Sequence, residues 1–289
     1  MALVPNRDKA FIPEVWAARI EAHLFPNAVY QNLFNRNYEG EIRDKGDTVH
    51  IGMVGVPTIF DYECGKDLTA AETIETADTV LKVDQGKAFN FTVCDVVQVQ
   101  SSANLLDEAT RNAGEAFATV LDKYLGGVLS EGTATSGLGT KDAPLAVTKD
   151  TAYETLVKMK TALDLANVPT VGRKVVVPPQ FEGLMMLNPA FYARVDTAAE
   201  GIAYPGNVYR AAGFDILVSN NCPASEAGAA KAWTQLIATT DASATIAQQI
   251  TKVEAYRPES RFEDAVKGLY VYGAKLLHPE RVAVATVSF

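Results

Sequence analysis

The sequence predicts an α+β fold, and three observations carry that prediction. Residues 252–288 alternate apolar and polar side chains as half-buried strands do, broken at Arg257-Pro258, Tyr272-Gly273 and His278-Pro279, which read as turns. Residues 104–130 carry an apolar stripe at helical spacing. Between the two, strand-like and helix-like segments alternate, which gives a mixed central region.

Taken in chain order, residues 1–45 are expected to form an arm with one helix. Pro13 sits where a first helical turn tolerates it, and Glu14–Leu24 sets Val15, Ala18, Ile20, Ala22 and Leu24 among Arg19 and Glu21. Thr48–Met53 alternates, and Lys87–Val93 does so again, so the two are expected as the outgoing and return strands of a hairpin. The connection Asp61–Asp84 holds seven acidic residues against Lys66 and Lys82, a local net charge of −5. It is too polar to pack into a core of its own and reads as a disordered surface loop or a projecting arm.

The long helix follows. Asn104 is its expected cap, Asp107 and Glu108 meet the positive end of its dipole, and Asp107 is spaced to pair with Arg111. Leu106, Ala113, Phe117, Val120, Leu121, Tyr124 and Val128 make its stripe, and at ~1.5 Å per residue it runs roughly 40 Å. Glu131–Ala146, rich in Gly, Thr and Ser, is expected to be a linker between domains. Thr151 and Glu154 have capping-box spacing ahead of a helix through Ala166 that turns Leu156, Met159 and Leu163 inward. Lys174–Val177 is a buried-type strand, Phe181–Leu187 a third helix, and Phe214–Ser219 and Trp233–Thr239 are further strands.

Composition bounds the function. The chain has 289 residues, 48% apolar and 21% charged, enough for one large or two interleaved domains. No apolar run approaches a membrane span, and the first residues, MALVPNRDKAFIPEVW, carry no export signal, so no membrane is expected as a partner. Cys64, Cys94 and Cys222 are odd in number and widely spaced, which fits reduced thiols. The net charge of −9 without a basic run argues against sequence-specific nucleic-acid binding.

Catalytic motifs fail one by one. Gly132–Gly137 has phosphate-loop spacing, but Leu138 stands where the lysine is required. His23, His50 and His278 lie in three separate segments without ligand or triad spacing. No nucleophile elbow, zinc-helix or Cys-x-x-Cys signature occurs, so no enzyme activity, cofactor or metal is expected.

What the chain does match is a family pattern. Phe11-Ile12-Pro13-Glu14-x-Trp16 resembles the opening of tailed-bacteriophage major capsid proteins. Val83-Asp84-Gln85-x-Lys87-Ala88-Phe89-x-Phe91-x-Val93, continuing to Gln100-Ser101, resembles the return strand of that family's extended loop. Tyr256-Arg257-Pro258-Glu259, Arg261-Phe262-x-Asp264-Ala265-Val266-Lys267-Gly268-Leu269, Tyr272-Gly273-Ala274-Lys275 and Pro279-Glu280 resemble its C-terminal region.

The resemblance implies the tailed-phage capsid fold, shared with encapsulin shells: an N-terminal arm (1–45), an extended hairpin loop (46–99), a peripheral domain with a spine helix (100–135 and 250–289) and an axial domain (136–249). It implies a shell protein that forms hexamers and pentamers of an icosahedral head, in the virion, assembled in the bacterial host cytoplasm. The implied partners are other copies of the chain, a portal protein, packaged double-stranded DNA held without sequence specificity, and a decoration protein. The chain enters the arm directly from Met1, so a separate scaffolding protein is expected.

Candidate intersubunit residues are Asp61, Glu63, Lys66 and Asp67 in the acidic loop and Arg257 and Arg261 beyond it, whose charges complement the loop of a neighbour. Lys66 is also a candidate donor for the lysine–asparagine crosslink of some family members, with a salt bridge or plain solvation as its ordinary roles. Two other readings stay open: a nanocompartment shell around a cargo enzyme, and a cytosolic enzyme without recognisable motifs.

Overall fold

The computed structural model describes residues 28–37, 48–54, 57–59, 61, 64–65, 72–73, 76–94, 105–135, 137–188, 210–226, 228, 231–260 and 263–289. Within them the strands are β1 (Thr48–Val54), β2 (Thr76–Lys82), β3 (Gln85–Cys94), β4 (Leu145–Ala146), β5 (Arg173–Val177), β6 (Arg210–Ala211), β7 (Phe214–Val218), β8 (Thr234–Thr240), β9 (Ala244–Tyr256), β10 (Glu263–Leu276) and β11 (Ala283–Ser288). The helices are α1 (Leu105–Leu129), α2 (Ala152–Leu165) and α3 (Pro179–Met186), with short 3-10 turns at Tyr30–Leu33 and Pro279–Arg281. The helix expected at Glu14–Leu24 and the cap expected at Asn104 lie outside the described residues.

A six-stranded sheet, ordered β4-β11-β8-β5-β7-β6, forms the centre of the larger half. Its middle strand β5 buries Val175, Val176 and Val177 in succession, as a strand covered on both faces must. On one face Val175, Val177, Leu236 and Ala285 meet Leu156, Met159 and Leu163 of α2 and Phe181 and Met185 of α3. On the other, Val176, Ile237 and Val284 share a core with Leu121, Leu125 and Leu129 of α1 and with Tyr30 and Leu33.

Helix α1, 25 residues and therefore about 38 Å long, joins this sheet to a three-stranded one, β3-β10-β9. It buries Phe117, Ala118, Leu121, Asp122, Leu125 and Leu129, recurring at three and four. Val120, expected in the stripe, is 39% exposed because one residue turns the helix by about 100° away from Leu121. Arg111 reaches Glu108 (3.8 Å) and Glu115 (4.0 Å); the Asp107 side chain expected beside it lies outside the description.

Five expectations are corrected. The return strand of the hairpin is β2, in register Thr48↔Lys82 to Val54↔Thr76; β3, the strand expected there, pairs with β10 instead. Both segments alternate, but Leu81 faces Val49 across the hairpin, whereas Phe89 and Phe91 require the aromatic face of α1. Tyr272-Gly273 is no turn but the interior of β10. Glu131–Ala146 is packed, not a free linker: Leu138 is fully buried, Leu138 O accepts from Thr286 N (2.9 Å), and β4 runs parallel to β11. That burial also explains why position 138 carries leucine and not a phosphate-loop lysine. No capping box forms, because Thr151 Oγ1 accepts from Thr148 N (2.9 Å) and Glu154 pairs with Lys158 (2.9 Å). Finally, β11 leaves the C-terminal segment to pair with β8 and β4, inside the sheet built otherwise from residues 145–240.

Candidate intersubunit surface

The three-stranded sheet has two unlike faces because its residues alternate. Toward α1 it presents Phe89, Tyr270 and Tyr272, of which Phe89 and Tyr270 meet Phe117 and Tyr272 meets Tyr124 with ring centroids 5.2–5.6 Å apart, while Phe91 stacks on Phe89 (5.6 Å). Gly268 makes room for the Phe89 ring, whose Cε1 would lie 2.3 Å from a Cβ at that position.

The outer face is divided. Near one end the hairpin stem lies on it, with Val49, Ile51, Leu81 and Val83 against Ala247 and Val271. Toward the other end the face is open and carries Ala88 and Asn90 from β3, Lys267 and Leu269 from β10, and Glu254 and Tyr256 from β9. All of these but Tyr256, together with Phe89 and Gly268, line a shallow groove of about 440 Å³. Lys267 Nζ sits 2.8 Å from Glu254 Oε2 and 5.3 Å from the Tyr256 ring centre, and the Tyr256 hydroxyl shares a hydrogen bond with the Asn90 amide (3.1 Å). The hydrogen bond and charge of Glu254 raise the proton affinity of the Lys267 amine. The pair is solvent-exposed, so it orders the surface more than it stabilises the fold.

Arg257 is exposed at the turn that follows Tyr256. From Gly273, under the hairpin, to Glu263 beside that turn, β10 runs ten residues, roughly 33 Å at ~3.3 Å per residue. Beyond the stem, Glu72 accepts from Thr58 N (3.0 Å) and Thr58 Oγ1 (3.1 Å), closing the base of the loop. Asp61 is exposed there, as are Cys64 and Ile59, the latter 92% exposed. Asp61 and Arg257 thus stand on separate elements. Glu63, Lys66, Asp67 and Arg261 lie outside the described residues.

Among the described residues no group of His, Cys, Asp and Glu is arranged to hold a metal ion, and no helix is long and apolar enough to cross a membrane. His50 pairs with Asp78 (2.6 Å) and His278 with Glu280 (3.1 Å).

Sequence reasoning missed one buried constellation. Asp122, fully buried in the apolar face of α1, accepts from the backbone N–H groups of Val29 and Tyr30 (3.1 Å each). Burial raises its proton affinity, and the two backbone donors partly oppose the rise. Tyr30 and Cys222 lie in the same apolar cluster; the Cys222 thiol donates to Ser219 O (3.2 Å), and burial pushes it up to about 11. The available signal was an aspartate at a core position of an otherwise apolar stripe, which demands donors.

The pattern of the phage capsid protein family matches residues 76–287. The chain belongs to that family. A solved structure from Mycobacterium phage Che8 is 30% identical over 89% of this chain and 90% of its own, with a TM-score of 0.67. A capsid structure of the cyanophage P-SCSP1u is 17% identical over 90% and 88%, with a TM-score of 0.70. A virus-like particle from Pyrococcus furiosus is 13% identical over 94% and 98%, with a TM-score of 0.56; it shares the fold. No curated protein matches significantly. The α+β architecture is therefore the tailed-phage capsid fold, and the chain is a major capsid protein, a structural component of the virion that assembles into an oligomeric shell.

Proposed function

We propose that copies of this capsid protein form hexamers and pentamers that close into an icosahedral head around double-stranded DNA, assembled in the host cytoplasm and without enzymatic activity. The observation that carries this reading is the 30% identity, across nine-tenths of both chains, to the Mycobacterium phage Che8 structure. A nanocompartment shell rests only on the shared fold of the Pyrococcus particle.

Heterologous contacts close into a shell only when the angle between subunits is controlled. In this reading a separate scaffolding protein sets that angle, a portal protein occupies one vertex, and a decoration protein covers the finished surface. The three-stranded sheet with α1 forms the peripheral domain and the six-stranded sheet the axial one, with β11 tying them together. The acidic loop, through Asp61, Glu63 and Asp67, meets Arg257 and Arg261 of a neighbouring copy, while Lys66 contributes a salt bridge. Such rim charges act chiefly on the rate and register of encounter and weaken with salt. An acidic chain also suits a container that must not hold its DNA tightly.

The test is electron microscopy after size-exclusion chromatography, with and without the scaffolding candidate. Closed shells or five- and six-membered rings are expected, and the double variant R257E/R261E should assemble more slowly at low salt. Monomers alone in the scaffold's presence would overturn the shell reading. Unchanged assembly of the double variant would overturn only the charge contact.

A further inference from the structure

The layer made by the six-stranded sheet and α2 carries an exposed apolar pair at each end. Strands β5 and β11 both run antiparallel to β8, so their C-terminal ends lie together. Helix α2 starts at that end, where Val147 N donates to Ser288 O (2.9 Å), and runs back to Leu165, from which a short loop enters β5. At the far end Leu165 is 77% and Val171 85% exposed. About 21 Å away, along the 14 residues of α2, Leu187 and Phe289 are exposed. Both flank the entry to α2, because Asn188 Nδ2 donates to Lys149 O (2.9 Å) and Phe289 follows Ser288.

The loop that carries the first pair is fixed from beneath. Arg173, buried, donates to Pro169 O (2.8 Å) and Val168 O (2.5 Å) and pairs with Asp164 (2.7 Å), while Val168 N donates to Leu163 O (3.1 Å) and closes α2. A buried guanidinium is tolerated only with such partners. Here it rigidifies a loop whose outward side chains are aliphatic, an arrangement that lowers the ordering cost of a contact made there.

Charges of both signs surround the two pairs. Near Leu165 and Val171 they are closed in the ion pairs Asp164–Arg173, Asp241–Lys174 and Asp215–Arg210. Near Leu187, Lys149 and Asp150 stand side by side. Two copies can therefore meet at these ends without the like-charge repulsion that a net charge of −9 imposes on the chain as a whole. Either pair meeting its own counterpart would close a dimer, whereas one pair meeting the other is a heterologous contact, the kind that closes rings.

We propose that Leu165 and Val171 of one copy pack head to tail against Leu187 and Phe289 of the next around a ring of subunits. This contact rests on the ring-forming reading above.

The test uses the full chain with Cys64→Ser and Cys94→Ser, which leaves only the buried Cys222. Val171→Cys and Leu187→Cys are introduced singly and together, assembled with the scaffolding candidate and treated with a short bismaleimide. The protein carrying both is expected to give a ladder of covalent multimers on a denaturing gel, and each single variant only monomers. Dimers from either single variant overturn the head-to-tail order. Shells whose doubly substituted subunits give no multimers overturn the contact and leave the shell reading standing. Leu165→Ser combined with Val171→Ser needs no crosslink: the unfolding midpoint should hardly move, while the protein concentration for half-assembly rises about tenfold or more, as loss of buried aliphatic surface requires. An unchanged concentration also overturns the contact. Absence of rings and shells from the unsubstituted chain, with the scaffolding candidate present, overturns the shell reading and this contact with it.

Discussion

At Gly273 a Cβ would stand 2.2 Å from the Lys82 carbonyl oxygen and 2.9 Å from the Val83 Cα. Both are backbone atoms, so neither can swing aside as the end of a side chain can. The hairpin stem crosses β10 at this point, and only glycine lets it approach so closely. Gly273→Ala is expected to destabilise the fold by about 1–3 kcal/mol, the usual cost of overpacking, seen as a lower urea midpoint. An unchanged midpoint would mean that the stem does not rest on β10 in solution. Asp122 shows the opposite case, a side chain whose burial is offset by the donors it meets. A lone buried carboxylate costs several kcal/mol, and here two backbone N–H groups aimed at its two oxygens lower that cost.

Helix α1 states its burial through its spacing, and its two sides should respond differently. Leu125 is fully buried between the two sheets, whereas Val120 is 39% exposed. Leu125→Ala is expected to cost about 2–5 kcal/mol as a core cavity, and Val120→Ala to stay within about 0.5 kcal/mol, both read from urea unfolding. Equal losses would place Val120 against a partner in the purified state, as would occur if the protein were already oligomeric. The hairpin illustrates the limit of such spacing. β2 and β3 are both alternating segments near β1, and period alone does not choose between them; the aromatic side chains of β3 settle the matter by packing on Phe117.

On the scale of the molecule, the acidic loop contributes little to the monomer, since its described residues Asp61, Glu72 and Cys64 are exposed. Replacing residues 57–73 by a short Gly-containing turn is therefore expected to leave the unfolding midpoint of the monomer nearly unchanged while abolishing shell formation in electron micrographs. A lost midpoint would make the loop part of the fold; intact shells would remove it from assembly. The core itself is continuous: α1 and residues 28–34 share one apolar cluster with the inner faces of both sheets, so the two halves are expected to unfold together.

Local periodicity and composition determined much on their own: the span of α1, the inward residues of α2, strands β5, β7 and β8, the acidity of the loop, and the family, through short motifs in a fixed order. These are legible because they depend on neighbours in sequence. The tertiary structure alone decided the partner of β1, the place of β11 in the six-stranded sheet, the packing of residues 131–146 and the seat of Val29 and Tyr30 on Asp122. Each of these joins residues far apart in the chain, about ninety for Asp122 and Tyr30. Which distant surface a segment meets is set by competition among folded faces, and no period in the sequence records the outcome.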